Sequence, residues 1–346
     1  MNPLNLLPVP LLVWYRENAR DLPWRRDPTP YRVWVSEIML QQTRVAAVLG
    51  YYARFMEAFP TVRDLAEAPE DRLMKHWQGL GYYSRARNLQ KAARQIMTDF
   101  GGVFPDSYED IRGLAGIGDY TAAAIASISF GQPIPAVDGN LLRVTARILG
   151  DETDITTARG KKHFAEALRA VMPLDRPGRF NQAMMDLGAM VCLPNGAPLC
   201  SRCPAADFCT AHRDGRTGDY PVRPAKKPRR KEERVVFLLV HAGRLALRRR
   251  PDRGLLAGLW EYPNEAAPAD HALADWGLTP LSASFAGTGV HIFTHVEWHM
   301  TARLVTLASD DLPQGWVWAD RAAWRDRYAI PSAFAPFRET AERCLS

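Results

Sequence analysis

The chain has no long apolar stretch. Its longest apolar runs, such as residues 235–240, have the length of a strand, far short of the roughly 20 residues that a membrane-spanning helix needs. No secretory leader is expected. Pro8 and Pro10 interrupt the apolar segment 4–13, no basic stretch precedes it, and Arg16 and Glu17 follow soon after. The expectation is a cytoplasmic protein without a membrane partner. Cysteine is scarce, at five residues in 346, which excludes a disulfide-stapled scaffold and leaves metal or catalytic roles in a reducing compartment. Repeats at a solenoid period are absent. One-sided charge is modest: 44 Lys and Arg against 38 Asp and Glu leave +6. That balance favours a polyanionic partner without identifying one.

What is present divides the chain in three. Residues 1–213 read as mostly helical, because Val45, Val48, Tyr52, Phe55 and Phe59 recur at helical spacing, as do Leu89, Ala93, Ile96 and Phe100, then Phe164, Leu168 and Val171. Residues 214–234 are rich in Pro, Gly and charge and read as an interdomain linker. Its basic run, residues 226–231, suits a solvated connector and also a DNA contact or targeting signal. From Val235 the period changes to that of strands, and Gly243 marks a turn. Strands are expected near 235–240, 244–248 and 298–307, and helices over 320–327 and 332–344. The expected fold is multidomain, a mostly α region followed by a smaller α+β domain over 235–346.

Four of the five cysteines fall within residues 192–209. Cys192, Cys200, Cys203 and Cys209 are spaced C-x7-C-x2-C-x5-C. Four thiolates in one short loop suit a soft metal centre. Zinc is one reading, since C-x2-C is a zinc element; the uneven 7-2-5 spacing, without a second C-x2-C knuckle, favours one 4Fe–4S cluster. Upstream, Leu114-Ala115-Gly116-Ile117-Gly118-Asp119-Tyr120-Thr121-Ala122 lies between two helical patterns, within a helix–hairpin–helix expected at about 107–130. Gly116 and Gly118 let the backbone turn tightly and approach a ligand, and the following helix N-terminus suits a phosphate. Two carboxylates stand out. Glu37 is an acid inside the apolar stretch Trp34-Val35-Ser36-Glu37-Ile38-Met39-Leu40, and Asp138 precedes a helix. Taken alone, Asp138 also reads as a helix N-cap, and Glu37 as half of an ion pair with Arg44 or Arg32.

The hairpin, the Val137-Asp138-Gly139-Asn140 segment and the four-cysteine loop occur in an order that resembles the endonuclease III superfamily of helix–hairpin–helix DNA glycosylases. Within it, Leu22-Pro23-Trp24-Arg25, Val35 to Thr43, Gly79-Leu80-Gly81-Tyr82-Tyr83 and Phe180 to Ala189 resemble the adenine DNA glycosylase (MutY) branch. The resemblance implies a monomeric base-excision enzyme that hydrolyses the N-glycosidic bond of adenine mispaired with 8-oxoguanine, and with guanine, in double-stranded DNA. It implies Glu37 as acid, Asp138 as stabiliser of the sugar cation, and Tyr120 and Asn140 as their supports. Arg25, Gln42 and Tyr82 become candidate DNA contacts, the last two as wedges beside the oxidised base. Glycosylase/lyases of the superfamily carry a lysine where this chain has Tyr120, so a monofunctional enzyme is expected. The segment 254–263 resembles the signature loop of a Nudix (MutT-like) domain, without the acidic metal box of a pyrophosphohydrolase. Phe293-Thr294-His295 resembles the loop directed at 8-oxoguanine, with Thr for Ser. The family's first cysteine spacing is C-x6-C, one residue shorter than here. The alternatives are a glycosylase/lyase for oxidised pyrimidines and a non-catalytic DNA-binding iron–sulfur protein.

Overall fold

The computed structural model describes residues 2–224 and 228–346. Lys226 and Lys227, part of the basic run, lie outside the described residues. The chain forms two compact units, Met1–Glu67 with Asn88–Lys226, and Ala68–Arg87 with Lys227–Ser346. Among the described residues no helix is long and apolar enough to cross a membrane.

The first unit is helical. The expected periodicity becomes the helix Val45–Ala58, which buries Val48, Tyr52 and Phe55. At its centre lies the helix Asp119–Phe130, whose buried face is Thr121, five consecutive small or aliphatic residues and Ser127. Small side chains let helix axes approach closely. The helices Pro30–Leu40, Tyr108–Gly113 and Pro177–Met190 all pack on it. The helix Gly139–Leu149 packs against Pro177–Met190 and contributes Leu141, Val144 and Ile148 to a core shared with Phe164, Phe180 and Met184.

The second unit is built on a seven-stranded mixed sheet: β1 Arg230–His241, β2 Arg244–Arg249, β3 Trp260–Glu261, β4 Asn264–Ala266, β5 Pro280–Ile292, β6 Val296–Leu307 and β7 Trp316–Ala319. The main order is β3-β2-β1-β6-β5, with β4 on β1 and β7 on β2. β1 and β6 run parallel, and β1 is apolar on both faces, as a central strand must be. Val236 and Leu238 enter one core with Trp298 and Phe334. Val235, Phe237 and Leu239 enter the other with Val305 and Leu307.

Three expectations are corrected. The strand opens at Arg230, inside the stretch read as linker, because residues 230–234 continue the parallel ladder opposite 296–300. The C-terminal helical reading over 332–344 is a 3-10 turn, Ser332–Phe337, followed by the helix Arg338–Arg343, since Pro336 supplies no N–H for a continuous α-helix. Finally, Ala68–Arg87 packs with the C-terminal unit rather than with its sequence neighbours. Gln78 Nε2 donates to the Ile330 carbonyl at 2.7 Å, and Lys75 Nζ to that of Tyr328 at 3.2 Å.

Candidate active site and DNA-contacting elements

Glu37 sits on the helix Pro30–Leu40, where Val33, Trp34, Val35, Ile38 and Met39 are all buried. Those neighbours carry Glu37 inside; it is 6% exposed. Neither Arg44 nor Arg32 claims it. Arg32 pairs with Asp27 at 2.7 Å, and the partner of Glu37 is Tyr120, whose hydroxyl donates to Glu37 Oε2 at 2.6 Å. Burial pushes the Glu37 carboxyl up to about 7, the Tyr120 hydrogen bond opposes this, and the nearby Asp138 charge adds to it. Burial also raises the Tyr120 hydroxyl, which keeps it a donor.

Asp138 caps the helix Gly139–Leu149. Its Oδ1 accepts the backbone N–H of Asn140 and of Leu141, both at 2.8 Å, and its Oδ2 accepts Asn140 Nδ2 at 2.7 Å. Burial pushes this carboxyl up, while the three donated hydrogen bonds pull it back. Asn140 is itself oriented: its Oδ1 accepts Arg143 Nη2 at 2.9 Å. Arg143 in turn donates to the carbonyls of Cys192 and Gly188, both at 2.8 Å. A Cβ on Gly188 would stand 2.6 Å from Asn140 Cβ, so glycine there keeps room for the amide that holds Asp138. Arg143 and Gly188 carry no mark of this role in the sequence, because an internal arginine and glycine have no diagnostic spacing.

Glu37, Tyr120, Asp138 and Asn140 line one open cavity of about 510 Å³. Arg25, Gln182 and Gln42 also line it. Arg25 was a candidate DNA contact, but its guanidinium is committed. Nη1 and Nη2 meet the two oxygens of buried Asp186 at 2.7 and 2.9 Å, and Arg20 joins the same carboxylate at 2.6 Å. Burial works against the Asp186 charge, but the two arginines outweigh it and hold the carboxyl below its ordinary range. Arg25 is thus a wall of the cavity, placed by Asp186, which the sequence reading missed.

The hairpin joins the helices Tyr108–Gly113 and Asp119–Phe130. Ser107 caps the first by accepting the Asp110 N–H at 3.1 Å. Gly116 has φ +74°, and a Cβ there would lie 2.5 Å from Asn88 Cβ, so this turn requires glycine. Gly118 opens the second helix with free space on its Cα. Gln42 follows the helix Pro30–Leu40 with φ +59° and lines the cavity, a strained backbone of the kind that gathers at functional sites.

In the C-terminal unit, Tyr82 is 47% exposed. Its hydroxyl lies 2.6 Å from Thr294 Oγ1. Phe293, Thr294 and His295 line a cavity of about 390 Å³ together with Tyr82, Leu255 and Leu256. Phe293 is fixed edge-on against His291 and Trp298, at 4.5 and 5.0 Å between ring centres.

The four cysteines line one apolar recess with Val144, Ile148, Val191 and Pro198. Arg147 Nη1 stands 3.3 Å from Cys192 Sγ and donates to the Leu193 carbonyl at 2.8 Å. Among the described residues no three His, Cys, Asp or Glu converge on a single point as the site of one metal ion.

One helical unit thus holds a buried acid, a helix-capping carboxylate and a glycine hairpin that opens a helix. Residues 35–170 match the family described as HhH-GPD superfamily base excision DNA repair protein, and residues 235–340 match a NUDIX domain. The adenine DNA glycosylase of Mus musculus is 36% identical over 366 residues, covering 88% of this chain and 70% of its own length. That of Buchnera aphidicola subsp. Acyrthosiphon pisum is 35% identical over 254 residues, covering 73% of this chain and 72% of its own. The chain belongs to the adenine DNA glycosylase family. It is a base-excision DNA repair enzyme. Among solved structures, a thermostable thymine-DNA glycosylase superposes with a TM-score of 0.57 at 27% identity, over 61% of this chain and 97% of that one.

Proposed function

We propose that this glycosylase hydrolyses adenine from pairs with 8-oxoguanine, and with guanine, without a lyase step, and that residues 1–213 carry the reaction while residues 235–346 select the opposing base. The observation that carries the reading is the 2.6 Å contact of Tyr120 with Glu37 in a cavity shared with Asp138. An adenine flipped out of the duplex meets an acid already near half protonation at pH 7, since Glu37 is raised to about 7; an ordinary glutamic acid would be protonated to only about 0.2%. Glu37 donates its proton to N7, so the base leaves neutral. Asp138, ionised, stabilises the oxocarbenium-like sugar, in the manner of the second carboxylate of a glycosidase. Tyr120 orients Glu37, and Asn140 orients Asp138. Water adds to the sugar, and Glu37 takes its proton.

The absence of a lyase step rests on Tyr120 and on the lining of the cavity, in which no lysine stands among the described residues. Tyr120→Lys is expected to produce strand cleavage that borohydride traps as a covalent adduct; an unchanged glycosylase with no adduct would reject the assignment. Selection of the opposing base rests on the Tyr82–Thr294 pair in its cavity. Thr294→Val keeps the shape and removes the hydroxyl. It should lower the preference for 8-oxoguanine over guanine opposite adenine by about three- to tenfold, the worth of one hydrogen bond, measured as a ratio of single-turnover rates. An unchanged ratio would remove Thr294 from recognition.

We assign one 4Fe–4S cluster to Cys192, Cys200, Cys203 and Cys209, a reading supported by the one recess that all four line. Val144, Ile148, Val191 and Pro198 give it apolar walls, and Arg147 Nη1 donates to Cys192 Sγ at 3.3 Å, a hydrogen bond that would orient that sulfur. When bound, such a group ties the loop to the helix Gly139–Leu149 and adds folding stability. About four irons per chain are expected, with loss of most iron and a lower Tm in Cys200→Ser. Stoichiometric zinc in the parent protein would overturn the choice of metal.

A further inference from the structure

The loop between β2 and β3 gives the cavity around the Tyr82–Thr294 pair part of its apolar lining. Leu255, Leu256 and Ala257 line it together with Phe293. This loop is not relaxed. Leu256 has φ +57°, between Gly254 at +90° and Gly258 at +64°. Glycine takes such left-handed angles freely, but a leucine adopts them only at a cost, because its Cβ crowds the following carbonyl oxygen. A residue strained in this way persists where the surrounding structure holds it.

Backbone bonds close the ends of the loop. The Arg250 N–H donates to the Leu259 carbonyl at 2.8 Å, and the Gly258 N–H to the Pro251 carbonyl at 2.9 Å. A side chain holds its middle. Arg250 Nε donates to the Leu255 carbonyl at 2.8 Å, and Arg250 Nη1 to Glu261 Oε2 at 2.6 Å. Glu261 is 1% exposed and is itself fixed. Asn264 Nδ2 donates to the same oxygen at 2.8 Å, and Arg248 Nη2 to the other at 2.9 Å. Arg250 therefore ties the loop to a buried carboxylate of the sheet through charge-assisted hydrogen bonds. Its guanidinium also lies 5.7 Å from the ring centre of Trp298, the ring on which Phe293 packs. One arginine thus braces two parts of the same lining.

We propose, on the reading that this unit selects the opposing base, that the Leu255–Leu256 wall held by Arg250 sets how strongly the cavity distinguishes 8-oxoguanine from guanine. The two bases differ in their hydrogen-bonding edge. Guanine presents a bare N7 acceptor, and 8-oxoguanine an N7–H donor with an O8 acceptor. The hydroxyl pair of Tyr82 and Thr294 discriminates by the bonds it can make to that edge. Water in the same place would serve either base and blunt the difference, because a mismatched polar group then costs little. Apolar side chains in the cavity exclude that water and strengthen the bonds that remain. Arg250 is a positioning residue: it acts through the Leu255 carbonyl and not on the base.

The test is the ratio of single-turnover adenine release opposite 8-oxoguanine to that opposite guanine, measured on the full-length protein. Asn accepts the left-handed backbone better than Leu and makes the wall polar. Leu256→Asn should therefore fold, with the ratio lowered about three- to tenfold, up to the worth of one hydrogen bond. Leu256→Met keeps the wall apolar and should hold the ratio within about twofold. Arg250→Gln leaves Glu261 with Arg248 and Asn264, releases the Leu255 carbonyl, and should lower the ratio at least about threefold. Lost stability reduces active enzyme for both pairs alike, so a purely structural role predicts an unchanged ratio. An unchanged ratio in Leu256→Asn would overturn the role of the wall, and one in Arg250→Gln the role of the brace. A fall in Leu256→Met as deep as in Leu256→Asn would overturn the exclusion of water. Thr294→Val in the same assay separates the two levels: if it lowers the ratio while Leu256→Asn and Arg250→Gln do not, the wall alone is rejected, and if none of the three does, selection by this unit falls with it.

Discussion

Replacing Glu37 with Gln is expected to slow single-turnover adenine release by at least about 10²-fold while duplex binding stays nearly unchanged. General acid catalysis contributes typically 10²–10⁴-fold, and Gln keeps the shape and the acceptor for the Tyr120 hydroxyl. In the parent enzyme the chemical step should fall about tenfold per pH unit above pH 7, as the carboxyl raised to about 7 loses its proton. The same shift has a signature in stability. A carboxyl whose folded value lies above its unfolded one binds protons in the native state first. Native stability therefore declines as pH rises from about 4.5 to about 7 and is level beyond. The full decline is on the order of 3 kcal/mol. Glu37→Gln removes it, so the variant should gain Tm relative to the parent at pH 8 and not at pH 4.5. Near-normal adenine release, or the same Tm difference at both pH values, would take the acid role from Glu37.

Asp138→Asn is expected to cost at least about 10²-fold in the same rate with a stability loss of only about 1 kcal/mol. The comparison separates the two readings of this residue. As an N-cap, Asn is as good as Asp, and its Oδ1 can keep both bonds to the N–H groups of Asn140 and Leu141. The other arm is different. Asn140 Nδ2 donates to Asp138 Oδ2, and Asn140 cannot turn over because its Oδ1 is held by Arg143. The new amide thus meets an N–H2 group and one hydrogen bond is lost. The catalytic loss has another origin, removal of a negative charge where the sugar becomes positive. A rate within a few-fold of the parent, with the helix intact by circular dichroism, would leave Asp138 as a cap alone.

Much of the site was legible in the order and type of residues. An acid within an apolar helical stretch announces either an error or a function, and Glu37 proves buried without a cation of its own. The hairpin glycines could be read because left-handed backbone at Gly116 has a residue preference. The supports were harder. Asp186 looks like any aspartate until Arg20 and Arg25, 166 and 161 residues away, close on it. The short segment 68–87 reads as one more helical stretch, yet it packs with the C-terminal unit. Nothing local distinguishes the helix Glu70–Trp77 from its neighbours.

By itself the sequence determined the helical and sheet halves, the spacing of four thiols, the hairpin glycines and two carboxylates as candidates, since periodicity, cysteine spacing and glycine placement act over a few residues. Only the tertiary structure decided what each group meets. Tyr120 reaches Glu37 across 83 residues and Tyr82 reaches Thr294 across 212. Arg248 meets Glu261 and Trp316 through strand register. Proton affinity and hydrogen bonding depend on burial and on neighbours a few ångströms away, and folding sets those distances through long-range packing that no local pattern records.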